Sequence, residues 1–252
     1  PVQALEASLA AYAIRKNADG SLSGLPIFPD RYGETYEYLG AENYKVLLNN
    51  PMGLANTTTF MLNMAVSYHK SKSESDKQKI ADMFVLFTQH FLDQGFQAGS
   101  ALGTLHHLGY NIRDFYTAAY LMKQPLVNAH LDQEVQQAME RFAGTGEVKT
   151  KPSEPGMDID AFNTSLIARL SSILMLKDSP EKLRYMYAFS RWIDNGFLFT
   201  EGTVGAFKPD GSIFHHRGNY PAYAVGGFEG AVTANYLLYI TDYQLKPVGR
   251  EH

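Results

Sequence analysis

The chain contains no cysteine, which excludes disulfides and thiolate metal sites and leaves the redox compartment undetermined. Long apolar runs are missing too, none approaching the roughly 18 residues that a spanning helix needs. Nor is there an excess of positive charge. With 22 Lys and Arg against 26 Asp and Glu, the net charge is −4 and the pI near 6.1, so no general nucleic-acid binder is expected. An anionic ligand would need a local basic patch. The 21 Gly and 11 Pro are near ordinary usage, which excludes collagen-like and low-complexity organisation. Two common hydrolase signatures are lacking: there is no G-x-S-x-G, and no HExxH spacing links any of the eight His.

What is present is 252 residues, 45% apolar and 19% charged, the composition of a folded globular chain near the upper size served by one core. Aromatic residues, 16 Tyr, 15 Phe and one Trp, exceed what such a core requires. The chain opens at Pro1 without an initiator Met, so no signal peptide is expected. Its ends read as those of a processed chain or of a piece of something longer.

The dominant period is helical. Ile80, Phe84, Phe87 and Phe91 form one stripe in 77–95, and Ile159, Phe162, Leu166, Leu170, Ile173 and Leu174 another in 158–178. Ser179-Pro180-Glu181 is a helix start, and that helix is expected to stop at Asn195-Gly196 with the Gly in a left-handed cap. Further helices are expected over 2–16, 53–71, 111–123, 131–143 and 222–241. Residues 18–50 and 198–221 are rich in Gly, Pro and Tyr and read as irregular loops or short β-hairpins, with Asp210-Gly211 a candidate turn. Segment 144–157 reads as a mobile loop. No linker divides the chain, so residues 1–252 are read as a single, mostly helical domain.

Three features could carry chemistry. The stretch from Asp210 to Tyr223 gathers His215, His216, Arg217, Asn219, Tyr220 and Tyr223 before a helix, with no charge but Arg217 between 211 and 228. Either it is a surface turn whose side chains cap hydrogen bonds, or it is a site presented on a loop. A second doublet, His106-His107, is a poor chelate because adjacent side chains diverge, and no metal site is assigned. Asn163 lies on the apolar stripe of its helix, where an amide is either satisfied by a neighbouring loop or projected into a cleft. Glycoside hydrolysis wants a pair of carboxyl groups, and the rich loop holds none. Proton abstraction beside a carboxylate fits better: His and Tyr can exchange protons while Asn and Arg hold the anion.

The string Phe207-Lys-Pro-Asp-Gly-Ser-Ile-Phe-His-His-Arg-Gly-Asn-Tyr-Pro-Ala-Tyr223 resembles the catalytic loop of the chondroitin sulfate ABC lyases, polysaccharide lyase family 8. Leu105-His-His-Leu-Gly-Tyr110 and Asp160-Ala-Phe-Asn-Thr164 agree in the same order. The resemblance implies an all-α fold, an incomplete (α/α) toroid of antiparallel helix pairs, of which this chain would be an N-terminal and central part. It implies β-elimination on chondroitin or dermatan sulfate, with hyaluronan a further substrate, in a periplasmic or secreted bacterial enzyme.

By resemblance His216, Tyr223 and Asn163 are catalytic. Tyr223 serves glucuronate as base and acid, His216 takes the proton of iduronate, and Asn163 neutralises the uronate carboxylate. His107, with His106 as the alternative, is a substrate-cleft His, and His215 contacts sugar or supports its neighbour. Arg217, Asn219 and Tyr220 complete the expected substrate contacts. No cofactor is expected within this chain, with a divalent cation such as Ca2+ assisting the full-length enzyme. Expected partners are a sulfated glycosaminoglycan and other domains of the parent chain, with neither nucleic acid nor membrane. The family's Arg and Glu further towards the C-terminus have no counterpart in the 29 residues after Tyr223, so the isolated chain is expected to be inactive. A helical carbohydrate-binding or scaffold module without chemistry is the competing reading. An α/α-toroid hydrolase would require Asp210 and a second acid in one groove.

Overall fold

A computed structural model describes residues 2–25, 27, 54–100 and 105–250, the side chains of 105–108, 249 and 250 excepted. The fold is all-α, and among the described residues only small antiparallel hairpins stand beside the helices. Among the described residues no helix is long and apolar enough to cross a membrane. The chain divides into two compact units, residues 1–142 and 143–252, at a point where the sequence offers no linker.

In the first unit, α1 (Val2–Ala10) is followed by β1 (Arg15–Lys16) paired antiparallel with β2 (Leu22–Ser23). The helix expected over 2–16 thus stops early, because the chain turns back at Asn17 to Gly20, where Asp19 accepts hydrogen bonds from the Ser21 amide and hydroxyl. Most of 18–50 lies outside the described residues. Helices α2 (Leu54–Lys70), α3 (Glu74–Asp93), α4 (Leu105–Leu121), α5 (Lys123–Asn128) and α6 (Asp132–Ala143) follow. Ser73 starts α3 by accepting from the Asp76 amide at 3.2 Å, with Glu74 and Asp76 facing the positive helix end. The predicted stripe of α3 is buried, and Phe91, Phe96 and Phe115 stack at 4.8 to 5.0 Å between centroids.

The second unit holds the features of interest. A 3₁₀ turn (Thr145–Lys149) occupies part of the predicted loop 144–157. It is fastened by buried Arg169, which donates to the Ala143 carbonyl at 3.0 Å and to Glu147 at 2.6 Å and lies over the Trp192 ring. The helix expected over 158–178 is not uniform: Ala161–Ser165 forms a π-helical turn and α7 (Leu166–Leu174) continues it. Helix α8 (Pro180–Gly196) starts as predicted, Ser179 accepting from the Lys182 amide with Pro180 in the first turn. Its end differs. Gly196 is not left-handed but remains helical, and the reason is packing, since a Cβ there would collide with the Met157 side chain.

After α8, residues 197–213 form a folded loop, and Gly211 at φ 82° makes the expected Asp210-Gly211 turn, closed by a Phe207–Ile213 bridge. A second hairpin follows, β3 (Phe214–His215) with β4 (Gly218–Asn219), then α9 (Pro221–Leu238) and the short α10 (Pro247–Arg250). The core of this unit joins Ile159, Phe162, Leu166, Phe189 and Ile193 with Ala231 and Ala234 of α9. α9 packs closely on the π-helical turn and the residue leading into it because Gly226 faces Asn163, Gly230 faces Phe162 and Gly227 faces Ile159. At Gly230 a Cβ would strike the Phe162 carbonyl. The opposite side of α9 exposes Val225, Phe228, Val232 and Tyr236.

Candidate active site

The segment that opens the site is held to the end of α8. Asn195 donates from its amide to the Glu154 and Gly156 carbonyls at 3.0 and 3.3 Å, and its own carbonyl accepts from the Gly156 amide. From Met157 the chain is hydrogen-bonded to Ala206, and Ala206 to Phe214, so 157, 206 and 214 form a short ladder leading to the second hairpin. Buried Lys208 secures this loop, donating to Thr200 Oγ1 at 2.9 Å and to the Val204 carbonyl at 2.6 Å. Burial lowers the pKa of its ammonium group, with Asp210 opposing. Asp210 is engaged in its own turn, accepting from the Ser212 amide and hydroxyl, and these bonds hold its carboxyl below the usual range. Asp210 does not line the cavity beside the second hairpin.

His216 and Arg217 are the two central residues of the β3–β4 turn, with φ of 50° and 64°. Positive φ at both positions is the backbone of a type I′ hairpin turn, which ordinarily takes Asn or Gly. His216 and Arg217 are exposed at its tip, whereas His215 turns inward and is buried. The His215 ring lies 3.8 Å from that of His216 and 4.4 Å from that of Tyr223. Tyr223 comes from the first turn of α9, and its ring centroid is 6.3 Å from His216. Tyr220 just precedes that helix and sets its ring edge-on to Tyr223 at 5.0 Å. Asn219 pairs with Phe214 in the hairpin and is exposed.

Asn163 reaches the same place from the π-helical turn. Its amide packs on Gly226, where a Cβ would stand 3.0 Å from both Nδ2 and Oδ1, one helical turn from Tyr223. π-Helical turns inside α-helices recur at functional sites because they re-aim side chains out of register. Asn163, His215, His216, Tyr220 and Tyr223 are therefore one constellation, although a cavity of about 280 Å³ beside the turn is lined by His215, His216 and Arg217 and not by Tyr223 or Asn163. The side chains of His106 and His107 lie outside the described residues.

The family described as "Lyase, catalytic" matches residues 1–252. The chain belongs to this lyase family. The chondroitin sulfate ABC exolyase of Bacteroides thetaiotaomicron is 42% identical over 222 residues, covering 87% of this chain and 22% of that protein. The chondroitin sulfate ABC endolyase of Proteus vulgaris is 31% identical over 255 residues, covering 98% of this chain and 25% of that protein. The chondroitin sulfate ABC exolyase of the same organism is 30% identical, covering 94% and 24%. The chain spans about a quarter of the length of these relatives. The resemblance carried by 207–223 is thereby borne out.

One cluster in this lyase chain escaped the sequence reading. Asp158, Asp160 and His215 bring one donor atom each to within 4.8 Å of one another. His215 Nδ1 is 3.5 Å from Asp158 Oδ1 and Nε2 3.7 Å from Asp160 Oδ2, and Nδ1 is buried without a hydrogen bond. Two carboxylates beside an imidazole are a donor set for a divalent cation; the carboxylate oxygens alone suit Ca2+, whereas the imidazole nitrogen suits a softer ion such as Zn2+. The Asp-Ile-Asp spacing is visible in the sequence, but its third member is remote in the chain.

Proposed function

We propose that this chain is the part of a chondroitin sulfate lyase catalytic domain that supplies its proton-transfer groups. The reaction is β-elimination at a uronic acid. H5 leaves as a proton, the C4–O bond breaks, the electron pair forms C4=C5, and the departing oxygen takes up a proton. Asn163 holds the uronate carboxylate and stabilises the charge that develops on it as H5 is lost. Tyr223 removes H5 of glucuronate and returns a proton to the leaving oxygen, and His216 removes H5 of iduronate. Arg217, Asn219 and Tyr220 contact the sugar, and His107 or His106 is the further substrate-binding His that the family resemblance implies. Asp158 and Asp160, with His215 beside them, are the residues that would hold a divalent cation, Ca2+ through the carboxylate oxygens, and it would supply a positive charge there.

The reading is carried by one observation: the Asn163 amide rests on Gly226, a single helical turn from Tyr223, which itself stands 6.3 Å from His216. It is also supported by the three relatives, all chondroitin sulfate ABC lyases. A sulfated glycosaminoglycan is the substrate class, dermatan and hyaluronan included. A polymer of that size is met outside the inner membrane, which favours a periplasmic or secreted enzyme. Other domains of the parent chain complete the cleft, and the isolated 252 residues are expected to be inert.

The test is incubation of the full natural polypeptide with chondroitin sulfate, following the ultraviolet absorbance of the new conjugated double bond. Growth of absorbance is expected. Binding of the polymer with no absorbance change would leave a carbohydrate-binding module instead.

A further inference from the structure

His215 is the one member of the constellation turned away from solvent, its side chain only 4% exposed. Yet it packs on two of the elements that contribute candidate catalytic groups and faces the approach to the third. Its nitrogens face Asp158 and Asp160, which lead directly into the π-helical turn carrying Asn163. Its ring packs against His216 in the hairpin turn at 3.8 Å and against Tyr223 in the first turn of α9 at 4.4 Å. An apolar ring of the same size would fill this space without desolvating a polar nitrogen. What the imidazole adds is direction, because its nitrogens face the two carboxylates at 3.5 and 3.7 Å while its ring packs on His216 and Tyr223.

We propose that His215 is a positioning residue: oriented by Asp158 and Asp160, it fixes His216 and Tyr223 relative to the turn that carries Asn163. This rests on the proposed lyase function and concerns how that site keeps its geometry. Reacting groups held about 1 Å out of place lose on the order of 10² in rate.

The test uses the full natural polypeptide acting on chondroitin sulfate. His215→Phe keeps the ring and removes the link to the carboxylates. Asp160→Asn keeps the shape and removes one charge. His215→Gln keeps a nitrogen donor without the ring. His215→Phe is expected to lower kcat by about 10² while KM moves less than about threefold. Asp160→Asn is expected to lower kcat less, and the double variant to be no worse than His215→Phe alone, since both break one link. His215→Gln should recover part of the loss. Unchanged kcat in His215→Phe, a loss falling on KM, or strict additivity would overturn the proposal. So would loss of the folded state in both the Phe and Gln variants, which would assign His215 to the fold. An unsubstituted polypeptide that releases no unsaturated product overturns the lyase reading itself, whereas a competent one with an indifferent His215→Phe overturns this inference alone.

Discussion

The contact between Gly226 and Asn163 separates stability from catalysis in one substitution. Gly226→Ala places a methyl 3.0 Å from both terminal atoms of the Asn163 amide, several tenths of an ångström inside ordinary contact. Two terms then oppose each other. Replacing Gly by Ala inside a helix favours folding by about 1 kcal/mol. Overpacking costs about 1–3 kcal/mol, at the low end here because the obstructing group is the end of a side chain that can swing aside. The net change is within about 1 kcal/mol, a shift of a few degrees in Tm for a unit of this size. The amide does not keep its place, however, and losing one donor to a developing oxyanion costs about 10²–10³ in rate. Gly226→Ala should therefore melt close to the parent by calorimetry while kcat for chondroitin sulfate falls about 100-fold. Adding Asn163→Ala should make it no slower, since the same donor is already lost. Full activity with an unchanged melt would mean that the amide resting on Gly226 is not the group that meets the carboxylate.

Gly230→Ala should behave oppositely, because its methyl meets the Phe162 backbone carbonyl, which cannot swing away; we expect a net loss of about 1–3 kcal/mol in a denaturant titration, and a neutral result would contradict the close packing of α9. Tyr223→Phe keeps the ring packed on His215 and removes the hydroxyl, so kcat should fall by about 10²–10⁴ with binding retained, and near-parental turnover would make Tyr223 structural. His90 is buried in α3, and burial depresses its pKa below 6.5, only partly offset by the Leu25 backbone and Asp93. The folded state then holds it neutral while the unfolded chain still takes the proton, so stability is full above pH 6.5 and is lost as pH falls through the ordinary His range. His90→Leu should flatten that slope in melts across the range, and an unchanged slope would assign it elsewhere. His216→Asn puts a residue that tolerates positive φ at a position with φ 50°, so the variant should melt no lower than the parent while its turnover of iduronate-containing substrate collapses; a markedly lower melt would mean that ring contact with His215 outweighs backbone relief.

The helical framework was legible because it is written in local signals. The Ile80–Phe91 stripe, the Ser179-Pro180 start and the Ile159–Ile173 stripe all describe what is buried or where a helix begins. The misreadings come from long-range packing. Gly196 looks like a helix stop by composition, yet Met157 from another segment occupies the space that a side chain would need. The π-helical turn at Ala161–Ser165 carries no composition of its own, and α9 packs against it through Gly226 and Gly230, more than sixty residues later. The 3₁₀ turn in 145–149 is ordered by Arg169, which a reading for Gly, Lys and Pro does not weigh.

The site divides along the same line. His216, Tyr223 and Asn163 were singled out by their motifs, and the structure sets His216 6.3 Å from Tyr223 and the Asn163 amide against Gly226, but the motif is silent on how a hairpin tip is aimed. Turn chemistry pointed to Asp210-Gly211 and found a real turn there, with the strain-free Gly at positive φ. The turn that presents His216 lies six residues on and contains neither Asn nor Gly. Two consecutive L-residues at positive φ cost about 1–2 kcal/mol each, and the hairpin meets that cost through contacts made elsewhere: Phe214 to Ala206, Tyr220 to Ile213, and His215 buried between Asp158, Asp160 and Tyr223. A turn of easier composition would close equally well but would put no imidazole at its tip. The same strain that hides this hairpin from a sequence reading is what holds His216 at the tip, out in solvent, while its neighbour His215 is pinned inside.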